Sequence, residues 1–243
     1  MIKKISVALF MALLLLVFIH KTVAAELTPL PVLTDEEESI EDVRCENINL
    51  KAHDFAERIF AANQRILNYL ILVSGQYSVW YKRLSFDEGK YISWPSELFA
   101  PIEIGAANMS TSSEVVYAIN GRDEEVTNYL QSKVESCAPD SVSRDQVIES
   151  LQKFLLMNSE HLSSVADFLA QMYGRLGESV VLWRRLEGRP VTVPLGYFKP
   201  LDNGAKTFTE AAALVGDNSK YVEDQYVMFM ARLGQTFLPL ARR

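Results

Sequence analysis

Two histidines, His53 and His161, are the side chains best suited to proton transfer or metal ligation once an N-terminal segment containing His20 is set aside. His53 and Glu57 stand four residues apart and share a helix face. That spacing fits a ligand pair or an acid–base pair, and equally a solvated i,i+4 polar pair, the commoner outcome. Glu160 and His161, followed by Ser163, Ser164 and Asp167, bring a hydroxyl, an imidazole and an acid into one short stretch. A nucleophile needs a strained turn, an oriented base and an oxyanion hole, and residues along one regular helix supply none of these. A di-iron bundle would need inward Glu residues and paired Glu-x-x-His motifs, which do not occur. There is no glycine-rich phosphate loop, no Cys-x-x-Cys-His and no EF-hand loop. The expectation is a chain that is not an enzyme and uses no cofactor or metal.

The remaining signal is aromatic. Tyr77, Trp80, Tyr81, Tyr91 and Trp94 fall at the end of one helical stretch and in the loop that follows. Tyr and Trp combine large apolar area with a polar handle, so the group reads either as a surface for a protein partner or as the end cap of a bundle. Arg184, Arg185, Arg189 and Lys199, next to Trp183, form a small basic patch on an acidic protein, a counterpart for an acidic segment of the same chain.

The N-terminus has the pattern of an export signal: Lys3 and Lys4, an apolar run from Ile5 to Ile19 broken only by Ser6, then Val23-Ala24-Ala25. The run is about 15 residues, short of the roughly 20 a spanning helix needs, so cleavage before Glu26 is expected and an uncleaved anchor is the alternative. No Cys follows the run to take a lipid. Loss of Lys3, Lys4 and Lys21 from 24 basic residues, against 31 acidic ones, leaves a net charge of −10. Such a chain is a poor general binder of nucleic acid and is repelled as a whole by anionic lipid, leaving an uncleaved signal as its membrane contact. Export places Cys45 and Cys137, the only two cysteines, in an oxidising compartment and favours a disulfide over two buried thiols. Neither has a nearby His, and there is no Cys-x-x-Cys, which argues against redox or zinc chemistry.

The elements that would position these groups are helices. Residues 26–44 carry Pro29, Pro31 and the acidic run from Asp35 to Asp42, an extended arm that is either a solvated leader or a docking peptide for a basic partner. From an expected cap at Asn49, apolar residues recur at three-four spacing from Ala52 through Phe55, Ile59, Ile66, Leu70 and Tyr77 to Trp80. Residues 66–81 are apolar almost all round, the mark of a central or partly covered helix, and Gly75 within them suggests close packing or a kink. Residues 84–121 hold Gly89, Pro95, Pro101, Gly105 and a polar stretch, and read as an irregular middle segment with one or two short helices. A helix over 123–136 ends before Cys137, and if antiparallel to the first it brings Cys137 to Cys45.

The strongest stripe runs from a capping-box-like start at Ser143 through Val147, Leu151 and Phe154 to Trp183, as one helix or as two joined near Asn158. Asn158 falls on the apolar seam, where a buried amide fixes register. Residues 191–193, between Pro190 and Pro194, are extended but too few for a sheet, and so are expected to form a loop crossing the bundle. Short helices follow over 207–215 and 220–237. The whole describes an all-α fold, one elongated helical domain over 45–243 made of long antiparallel helices. Its setting is the periplasm or the outside of the cell, and its function that of an interaction or scaffold protein of a bacterial envelope or secretion assembly, binding a partner or itself. A bundle that carries a small apolar ligand and a secreted effector are the alternatives. No stretch resembles a known family closely enough to name one.

Overall fold

The computed structural model describes residues 28–30, 43–138 and 142–237. The expected signal segment and the acidic run of the arm lie outside these residues. Four long helices form an up-down-up-down bundle: α1 Ile48–Ser85, α2 Ala100–Cys137, α3 Val142–Trp183 and α4 Lys199–Phe237. At about 1.5 Å per residue each spans nearly 60 Å. Their neighbours are α2 on α3, α1 on α4 and α3 on α4, while α1 and α2 share little contact. The one disulfide, Cys45 to Cys137 with Cα atoms 5.3 Å apart, ties that loosest seam together at the base of the rod. All of the expected seam residues of α1 and α3 are buried, including Ala52, Ile66 and Tyr77 on the first and Val147, Leu162 and Trp183 on the second. Residues 66–81 are nevertheless not enclosed, since Ile71, Leu72 and Val79 face outward.

Several sequence expectations are corrected. The middle segment is not irregular: from Ala100 onward it is one helix, in which Pro101 sits in the first turn, where its missing N–H costs nothing. Its polar stretch is helical because the hydroxyls bond to carbonyls, Thr111 to Ala107, Ser112 to Asn108 and, across the interface, Ser113 to Ala166 at 2.8 Å. The two short C-terminal helices are one, α4, and α3 is a single helix through Asn158. Ser143 lies inside α3 rather than capping it, and Asn47, not Asn49, precedes α1, with its Oδ1 accepting the Arg44 N–H at 2.7 Å. The arm is not wholly solvated: Leu30 is buried, its N–H donating to Ser112 Oγ at 2.8 Å.

The extended residues do pair. Strand β1, Tyr91–Ser93, runs antiparallel to β2, Pro190–Thr192, with Tyr91 opposite Thr192 and Ser93 opposite Pro190. This ribbon joins the α1–α2 connection to the α3–α4 connection and closes the end of the rod opposite the disulfide. A short 3-10 turn, Arg184–Leu186, leads from α3 into it.

Candidate functional site

At the ribbon end, both connections are built to hold one shape. Gly89, at a φ of 78° that favours glycine, donates its N–H to Val193 O at 2.7 Å, and Val193 N–H returns to Lys90 O at 3.2 Å. The Glu88 carboxylate accepts the N–H groups of Gly196 and Phe198 at 2.8 and 2.9 Å, which pins the second turn onto the first. Glu187 accepts the Phe99 N–H at 3.0 Å. Arg184 lies among Glu103, Glu97 and Glu187, at 2.6, 3.2 and 3.6 Å.

Beneath the ribbon, aromatic rings cap the core. Trp183 and Phe198 are 5.4 Å apart between centroids, and Trp94 lies 5.9 Å from both Phe99 and Phe198. Tyr77 packs 5.7 Å from Trp80 and 5.3 Å from Phe208, and burial pushes its hydroxyl pKa up. Of the five aromatics proposed from sequence for a partner surface, Tyr77, Trp80 and Trp94 are therefore buried parts of this cap. Tyr81 is half-buried and Tyr91 stands out at 71% exposure, so these two have surface to offer a partner. Sequence reasoning missed Phe99 and Phe198 as cap members, and missed Phe86 and Leu195, exposed at 75% and 83%. The signal available for them was turn chemistry: an apolar residue beside Gly89 and another between Pro194 and Gly196.

Midway along the rod, the apolar core divides into a ribbon-end cluster and a base cluster. Polar side chains occupy the boundary. Asn63 Nδ2 donates to Asn158 Oδ1 at 3.3 Å, and Asn158 Nδ2 donates to Asp123 Oδ2 at 2.8 Å, linking α1, α3 and α2. The seam amide expected at Asn158 thus has partners on two helices. Burial pushes the Asp123 carboxyl up to about 7, against the opposing pull of Asn158, Arg122 and Arg58. His161, one turn beyond Asn158, is buried, and burial lowers its pKa.

The catalytic alternatives weighed from sequence are dispersed by this geometry. Asp167 accepts the Tyr117 hydroxyl, Ser164 donates to the Glu160 carbonyl and Ser163 Oγ accepts from Asn120. His53 turns to the Tyr226 hydroxyl rather than to Glu57. Among the described residues, no group of three His, Cys, Asp or Glu side chains is placed to hold a metal ion. No helix among them is long and apolar enough to cross a membrane. Compared with family models, with curated proteins and with solved structures, the chain matches none.

Proposed function

We propose that the chain is an exported, non-enzymatic interaction protein: a rigid helical rod that presents one end to a partner or to a second copy of itself, in the bacterial periplasm or outside the cell. The observation that carries this reading is the ribbon end, where two connections locked to each other hold Phe86, Tyr91 and Leu195 outward. Large apolar side chains on a fixed surface favour association, because covering each removes apolar area from water without ordering a loop. The disulfide supports the oxidising address, since such bonds persist outside the cytosol.

The test is in-cell photocrosslinking with a photoreactive residue in place of Tyr91, followed by mass spectrometry. A discrete heterologous protein adduct is the expected result, and self-adducts alone would identify an oligomer. Absence of any adduct, together with a small molecule that co-purifies with the protein, would replace this reading with a ligand-carrying bundle.

A further inference from the structure

The whole chain is acidic, yet its charge is unevenly placed. Residues 82–99 and 184–199, which build the ribbon end, hold seven basic residues against four acidic ones, a local charge of +3 on a chain of −7. The four acids are engaged locally: Asp87 with Lys90, Glu88 with the Gly196 and Phe198 N–H groups, Glu97 and Glu187 with Arg184. Lys82, Arg185, Arg189 and Lys199 are exposed and make no ion pair among the described residues.

The same end carries Leu195 and Phe86, the two most exposed large apolar side chains among the described residues. They belong to one continuous tip. Lys90 Nζ lies 3.5 Å above the Phe86 ring, and Leu195 Cδ2 comes within 3.3 Å of the place a Cβ would take on Gly89. We infer that this end of the rod docks on an anionic lipid surface, with Phe86 and Leu195 entering the headgroup–acyl boundary and Lys82, Arg185, Arg189 and Lys199 meeting lipid phosphates. The inference goes beyond the interaction reading and does not depend on it.

The pairing of isolated apolar side chains with unpaired cations favours lipid over an acidic peptide. Phe86 and Leu195 are single exposed apolar side chains on an end with a net positive charge, a pattern that suits shallow entry into a layer of anionic headgroups. A bilayer requires no matching cavity. A few inserted apolar groups with nearby cations suffice for reversible attachment, each basic residue strengthening it severalfold at low salt. Charges further from the surface than about 10 Å are screened at physiological salt, and the acids next to the tip are already paired, Glu103 with Arg184 and Asp202 with Lys206.

The experiment is co-sedimentation of the full chain with phosphatidylcholine vesicles, with and without phosphatidylglycerol, across a salt series, with hydrogen exchange on the bound protein. Binding should require phosphatidylglycerol, fall with salt, and protect residues 86–90 and 194–197. Reversal of Lys82, Arg185, Arg189 and Lys199 to Glu should weaken partitioning by roughly tenfold or more, as should Phe86→Ser with Leu195→Ser. All six side chains are exposed, and circular dichroism checks the fold. If a reversal set unfolds, the neutralising set to Gln and the salt series carry the same test. Absence of binding to the anionic vesicles, or binding that these variants leave unchanged, overturns the inference. Capture by polyglutamate without vesicle binding, or self-association through the same residues, overturns it in favour of an acidic protein or of a second copy.

Discussion

The Tyr77 ring lies directly over Gly204, so close that a Cβ on Gly204 would stand 2.4 Å from Tyr77 Cε1 and 2.5 Å from Cδ1. This contact sets how near α1 and α4 approach at the ribbon end, where Ser74 also donates to the Ala205 carbonyl at 2.9 Å. Tyr77 is fully buried among Trp80, Phe208 and the rest of the cap, and has nowhere to retreat.

Gly204→Ala should therefore destabilise the protein. Ala is worth about 1 kcal/mol more than Gly in a helix interior, but overpacking of a filled core costs about 1–3 kcal/mol. The clash involves a ring rather than the end of a flexible chain, which places the cost at the upper part of that range. Urea denaturation measures the difference, and a stability equal to or above that of the parent would show that the helices shift freely at this contact.

Gly75 gives the opposite expectation. It is exposed within the unbroken α1 helix, and nothing lies within 4 Å of a Cβ added there. Gly75→Ala should stabilise by about 0.5–1 kcal/mol, through helix propensity alone. A loss of stability would mean that the backbone at Gly75 needs conformations Ala resists.

These two glycines show what the sequence makes legible. The apolar seams of α1 and α3 are explicit because Phe55, Ile59, Leu151 and Leu162 are large and recur at helical spacing. The first half of α2 is hidden because its contact face is made of small or hydroxyl-bearing residues, Gly105, Ala106, Ser112 and Ser113, whose polarity reads as loop until their hydrogen bonds are seen. Gly204 is hidden for the same reason: its role is to leave room for Tyr77, and a gap has no hydropathy. The ribbon end escaped because β1 and β2 are stabilised by each other from points about 100 residues apart in sequence. The five aromatics all lie toward the ribbon end of the rod, and three of them face inward.

Breaking Cys45–Cys137 should cost up to about 4.6 kcal/mol in the chain-entropy picture, given a separation of 92 residues. The loss should be felt first at the base, because α1 and α2 have little other contact to hold them together there. Cys45→Ser with Cys137→Ser should lower the urea midpoint and speed hydrogen exchange in residues 48–59 and 126–137 ahead of the ribbon end. Uniform exchange along the rod would contradict the seam argument. Two free thiols in protein recovered from its native compartment would remove the staple altogether.

Asp123 makes stability depend on pH. Its carboxyl titrates near 3.8 when unfolded and is pushed up to about 7 by burial in the folded chain. Between those values the folded chain holds a proton that the unfolded chain has released, so this group stabilises the fold below about pH 4 and that stability is lost as pH rises through about 7. His161 acts in the reverse sense: burial lowers its pKa, so its contribution is present above its ordinary 6.5 and is lost as pH falls. The two oppose each other below pH 6.5, and the parent protein alone cannot separate them. Asp123→Asn can, because it keeps an acceptor for the Asn158 amide, leaves His161 untouched and carries no charge at any pH. The melting temperature of the variant should match that of the parent near pH 4, exceed it increasingly up to about pH 7 and differ by a constant amount above that, worth a few kcal/mol at most. Parallel melting curves across that range would mean that Asp123 is solvated in the folded chain and that the mid-bundle layer is open to water.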